Sequence, residues 1–272
     1  MINLRKKHEM LRSALVTSAL FSVVLCALAC NNGASEGPAS TGDSDAKMAS
    51  AKIAEAEPLY DGREDMTKAR LAVTALRQAH AADYGNYEAA WKLARAAFYV
   101  GDRTDNETER ETMFREGTDA GNAAVQLQPN KPDGHFWLGA NYGGSAAHST
   151  LSNLSSFRDI KGEMETVLKL DEGYQGYSAY LGLGRLYLQA PKMLGGDPEK
   201  AVEYLEKGVK LNPNNTLMRY ELAAAYEVTD RPGEAKKQID TLMSSTPDPK
   251  YMAEHKQAVE DARKLLEKIN RG

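Results

Sequence analysis

The sequence is poor in the residues on which active-site chemistry and covalent bracing depend. It has two cysteines and five histidines in 272 residues. Cys26 falls inside an apolar N-terminal run, so a mature chain starting at Cys30 keeps one thiol. That excludes a disulfide framework and a thiolate metal site. His8, His80, His135, His148 and His255 make no pair at metal-binding spacing. His135, next to Trp137, reads as a packing or partner-contact residue. No Gly-x-Ser-x-Gly elbow, His-Glu-x-x-His helix or EF-hand loop occurs, and "DNETERE" (105–111) reads as a solvated face rather than paired carboxylates. Neither an enzyme nor a bound cofactor or metal is expected. Positive charge is lacking as well: the formal net charge is −4, which argues against a nucleic-acid partner.

What is present begins at the N-terminus. Arg5, Lys6, Lys7 and Arg12 precede an uncharged run over 13–29, which is short for a membrane-spanning helix and has the layout of a secretory signal. The run ends in "ALAC", like the lipobox of bacterial lipoproteins, with Cys30 as the lipidated first residue of the mature chain. Loss of residues 1–29, with four basic residues and Glu9, takes the formal charge from −4 to −7. Residues 30–54, nearly free of large apolar side chains, are expected to be a flexible tether. Residues 55–272 remain for the folded domain. The expected location is the periplasmic side of the envelope, with Asn31 favouring outer-membrane over inner-membrane retention.

The domain repeats. Leu222 and Tyr226, four apart, are followed by Ala235, Ile239 and Pro247. Leu183, Gly184 and Tyr187 are followed by Ala201, Leu205, Gly208 and Pro213, 34 residues before Pro247. "WLGANY" gives Leu138, Gly139 and Tyr142, and "WKLARAAF" gives Trp91, Ala94 and Phe98 before Pro129. This period and signature resemble the tetratricopeptide helix–turn–helix unit. Side chains four apart face the partner helix, small residues mark close backbone approach, and proline ends the second helix. The predicted fold is all-α, about four irregular repeats between capping helices. The front cap reads as "DMTKARLAVTALRQAHAA" and the rear cap as the stripe Val259, Ala262, Leu266 and Ile269.

Glycines in "LGLGRLYLQAPKMLGGD" are structural on this reading. No strand precedes them and no Gly-Lys-Ser/Thr follows, so the requirements of a phosphate loop are not met. Three units carry extra residues, at "GDRTDNETE", "GGSAAHSTLSN" and "QAPKMLGGD", expected to be long loops gathered on one edge.

"HFWLGANYG", "DIKGEMETVLKLDEGY" and "LGRLYLQAPKMLGGDPEKAVEYLEKGVKLNP" together resemble the T-component family associated with TRAP-type transporters, over about residues 110–245. The resemblance implies a trimeric periplasmic lipoprotein that docks the transporter's substrate-binding subunit and holds an apolar ligand. Taken with the repeats, it implies a membrane-tethered protein-interaction scaffold, the alternative being a carrier for a small apolar molecule. The expected contact residues are Phe136, Trp137, Leu181, Arg185 and Tyr220 on the first helices of the pairs, which line the concave surface of such arrays. Met193 and Leu194 of the glycine-rich loop complete the set.

Overall fold

A computed structural model describes residues 41–148 and 154–271. The described residues form eleven α-helices and two 3-10 turns, without a strand. The front pair is α1 (Thr41–Asp61) and α2 (Met66–Ala82). Four further pairs follow: α3 (Tyr87–Arg103) with α4 (Glu107–Leu127), α5 (Pro132–His148) with α6 (Leu154–Leu170), α7 (Tyr174–Gln189) with α8 (Pro198–Leu211), and α9 (Thr216–Val228) with α10 (Pro232–Ser244). Helix α11 (Met252–Arg271) closes the array. The 3-10 turns are Lys192–Leu194 and Pro249–Tyr251. The expected all-α repeat array is the fold observed.

Helix starts follow local chemistry. Asp65, Asn86, Asn106, Asp197 and Asn215 each take extended backbone angles and accept a hydrogen bond from a first-turn N–H. Each such cap contributes on the order of 1 kcal/mol. Along each helix, apolar residues three and four apart fill the pair interface; on α3 these include Ala90, Leu93, Ala97 and Val100. The odd-numbered helices from α1 to α11 also touch one another in series, and so form one continuous row.

Two expectations need correction. Of the tether expected over 30–54, residues 41–54 are helical instead, because α1 begins at Thr41, and 30–40 lie outside the described residues. Ala49, Ile53, Ala56 and Tyr60 lie three or four apart and are buried, so small alanines suffice to seat this helix on α2 at close range. The three insertions are also not three long loops. The first is absorbed by lengthening: α3 and α4 run to 17 and 21 residues and leave only 104–106 between them. Asn106 caps α4 and accepts from the Glu109 N–H, and Glu107 and Glu109 sit at the positive end of the helix dipole. "DNETE" is therefore a helix start, and Glu109 pairs with Arg70 of α2 at 2.6 Å rather than facing solvent alone. In the second insertion α5 continues to His148, and 149–153 lie outside the described residues. The third is a short loop holding the first 3-10 turn. Asp197 caps α8, and the close approach expected at small residues such as Gly184 is observed. Gly195 takes φ 110°, in the left-handed region. Gly196 is required for space instead: a Cβ there would stand 1.8 Å from the Ala190 carbonyl oxygen.

Candidate functional site

The row of odd-numbered helices is pinned by one carboxylate. Asp133, in the first turn of α5, accepts from the Tyr87 hydroxyl of α3 and from the Tyr174 hydroxyl of α7, each at 3.0 Å. Burial first, and the Asp133 charge second, push both phenols well above the ordinary tyrosine range. Both therefore remain donors at neutral pH. Two residues on, His135 sets Nδ1 2.6 Å from Glu163 of α6 and Nε2 2.8 Å from the Pro129 carbonyl. Both ring nitrogens face acceptors, so the side chain fastens α5 to α6 and to the preceding turn. Among the described residues no group of three or more His, Cys, Asp or Glu is arranged to hold a metal.

Beside this framework lies a cavity of about 550 Å³. Phe136 and Trp137 meet edge to face at 4.9 Å. Phe136 also packs on Tyr174 at 5.4 Å and Trp137 on Phe98 at 5.9 Å, so aromatic contacts run from α3 across α5 to α7. Phe136, Trp137 and Leu181 line the cavity from the first helices of their pairs. Phe157, Ile160 and Met164 of α6 supply the facing wall. Aromatic and aliphatic lining of this extent suits an apolar guest in a site large enough for a small molecule or a few inserted side chains.

The cavity also has a polar side. Asp102 and Arg103 of α3, Arg185 of α7 and Glu254 of α11 line it. Arg185 Nε donates to Glu221 at 2.6 Å. Burial opposes the Arg185 charge, but Glu221 and then Asp102 more than offset it, and its pKa is raised. The guanidinium is held as a fixed cation by a buried carboxylate of the neighbouring repeat. Glu254 receives two hydrogen bonds from the buried Arg63 guanidinium, at 3.2 and 3.1 Å. Arg63 belongs to the turn after α1, so the first and last elements of the array meet at the cavity rim.

Of the seven contact residues expected from sequence, Phe136, Trp137, Leu181, Arg185 and Leu194 converge on this cavity. Tyr220 does not: it is half-buried against the cluster built from α7 to α11. Met193 points away, with 88 % of its surface exposed. Cys30 lies outside the described residues. Sequence reasoning missed the α6 wall because it assigned the concave surface to first helices alone. The spacing of Phe157, Ile160 and Met164, three and four apart, was the available signal. It also missed Tyr251, Glu254 and His255 at the head of α11, which line the cavity although the helix was read only as a cap.

A family model described as regulator of microtubule dynamics protein 1-3 matches residues 52–270, from within α1 to the penultimate residue of α11. The chain belongs to this family. The match reaches upstream of the repeats legible in the sequence and takes in α2 and part of α1. No curated protein sequence matches the chain. Among solved structures, the thermophilic TPR protein TTC0263 of Thermus thermophilus aligns with a TM-score of 0.57 at 18% identity, covering 78% of this chain and 99% of its own. PilF of Pseudomonas aeruginosa aligns with a TM-score of 0.52 at 17% identity, covering 84% and 91% respectively. At such identities the likeness speaks to the fold, a tetratricopeptide-type array. Of the resemblance to the TRAP-associated T component, these likenesses bear on the tetratricopeptide-type fold alone.

Proposed function

We propose that the chain is a membrane-tethered tetratricopeptide binding protein of the cell envelope, which engages its partner through the cavity by inserting apolar contacts rather than by catalysis. The observation that carries this reading is the convergence of Phe136, Trp137, Leu181, Arg185 and Leu194 on one concave site. Repeat arrays place their binding surfaces on the concave side, and aromatic and Arg anchors in a partly desolvated pocket are the usual source of interface energy. The substrate-binding subunit of a TRAP-type transporter is the partner that the sequence resemblance offers, and assembly as a trimer comes from the same source.

Tethering rests on the basic start, the apolar run and "ALAC" ahead of Cys30. No described helix is long and apolar enough to cross a membrane. A lipid on Cys30 would hold the domain at the surface through the residues that precede α1, and Asn31 favours the outer membrane. Metabolic labelling with palmitate tests this. Label is expected on the wild-type chain and absent from Cys30→Ser, and equal labelling of both would refute the anchor.

A second reading, carriage of a small apolar molecule, is favoured by the cavity itself. Walls from α3, α5, α6 and α7 surround about 550 Å³, in the range of small-molecule sites. Native mass spectrometry separates the two: a protein subunit adds kilodaltons, a carried ligand a few hundred daltons.

A further inference from the structure

The head and tail of α11 are held by different forces. Along the tail, Ala258 and Ala262 are fully buried, and Val259, Leu265, Leu266 and Ile269 pack half-buried against the same cluster. In the first turn Met252 is half-buried and Ala253 packs against the apolar cluster of α1 to α3. Polar contacts to three different elements secure it as well. Glu254 pairs with Arg63 at 3.1 Å. The Tyr251 hydroxyl, in the 3-10 turn just before the helix, donates to Gln175 Oε1 at 3.1 Å. His255 Nδ1 lies 3.3 Å from the Thr216 hydroxyl of α9. Lys256 adds a fourth, exposed pair with Glu64.

The contact at Gln175 falls on the most unusual backbone in the described residues. Gln175, Gly176 and Tyr177 take φ of 48°, 66° and 67°, three consecutive left-handed residues at the head of α7, two of which are not glycine. Such backbone persists only where its surroundings over-determine it, and it collects at sites that switch. Here the surroundings include two side-chain hydrogen bonds: Tyr251 on Gln175, and Asn212 Nδ2 donating to the Gly176 carbonyl at 3.1 Å. Gln175, Asn212, Thr216, Tyr251, Glu254 and His255 all line the cavity.

We infer that the first turn of α11 is a latch over the cavity, hinged where its apolar packing begins at Ala258, and that the left-handed turn at 175–177 is the element it holds. At the head, water that enters from the cavity can replace the polar contacts once Glu254 leaves Arg63. The tail stays seated, because its apolar contacts have no such substitute. Release of Tyr251 removes one of the contacts that hold Gln175, beside those to Tyr174 and Ser178, so the two elements change state together and widen the cavity from one side. This latch rests on the binding site proposed above and gives it a way in, but it is measured without any ligand, so its failure would leave that binding site standing.

The test is hydrogen–deuterium exchange, read by mass spectrometry on the full chain, in wild type and Glu254→Gln. Glu254 pairs with Arg63 rather than with the turn at 175–177, so an effect there must pass through the latch. Exchange at 174–178 is expected to quicken at least about fivefold in Glu254→Gln, with α8 and α10 unchanged. Arg63→Gln is expected to reproduce the effect from the other side of the pair, and Glu260→Gln, which breaks an exposed pair with Lys264 further along α11, is expected to leave 174–178 at the wild-type rate. Unchanged exchange at 174–178 in both Glu254→Gln and Arg63→Gln overturns the latch. So does an acceleration shared equally by α8 and α10, which would mean that the array loosens as a whole.

Discussion

Gly184 of α7 lies so close to Leu205 of α8 that a Cβ on the glycine would stand 2.4 Å from the leucine Cγ. Both residues are buried, and Leu205 is wholly so. Gly184→Val must therefore push the two helices apart. It is expected to destabilise the fold by about 1–3 kcal/mol or more, read as a lower urea midpoint with unchanged slope. An unchanged midpoint would mean that the crossing yields without cost.

Asp197 Oδ1 accepts from the Lys200 N–H at 3.2 Å, ahead of Pro198 in the first turn of α8. Loss of this cap in Asp197→Ala is expected to cost about 1 kcal/mol. Met193, in the same loop, is exposed, so Met193→Asp should leave the melting temperature within about 1–2 °C of wild type. Thermal unfolding of both variants checks the contrast. A large loss for Met193→Asp would show that the loop packs as core.

Burial pushes the His80 imidazole below its ordinary value, against a smaller opposing effect of Asp83. The ring packs edge-on against Tyr84 at 5.2 Å. With the folded pKa below the unfolded one, the unfolded chain takes up the proton more readily. Stability from this group is therefore complete above the unfolded value of about 6.5 and falls as pH drops through it. His80→Gln should lose less stability than wild type between about pH 7.5 and about pH 5.5. Parallel losses for the two proteins would contradict this.

The fold was legible because the repeats write it twice over, in apolar spacing and in turn chemistry. Leu138 with Tyr142, Leu183 with Tyr187 and Leu222 with Tyr226 mark helices, and Pro129, Pro213 and Pro247 mark where pairs end. Helix α1 was illegible for the opposite reason. Half of its buried stripe, Ala49 and Ala56, is alanine, which carries little hydrophobic signal and packs well only against a neighbour that the sequence does not name. The insertion at 101–109 misled because acidic residues read as a loop, whereas Glu107 and Glu109 sit where a helix dipole favours them.

The site divides in the same way. Phe136, Leu181 and Arg185 were found from their positions on first helices, a local pattern. Phe157 and Met164 face the same cavity from a second helix, and Glu254 reaches it only because α11 returns to Arg63, 191 residues earlier. No local pattern encodes a contact of that range. Tyr220 obeyed the local rule but packs instead against the cluster of α7 to α11.

The central claim is that binding runs through the cavity, and Ala140, on its wall in α5, is the place to test it. The measurement is native mass spectrometry of the full chain released from membranes in mild detergent, for wild type and Ala140→Trp together, with circular dichroism melts alongside. The account predicts a bound subunit or small apolar molecule on the wild type. It predicts that the bound mass is lost from Ala140→Trp, with the fold retained, because the indole occupies the guest's space. A bare wild-type chain, or the same bound mass persisting on folded Ala140→Trp, would contradict it.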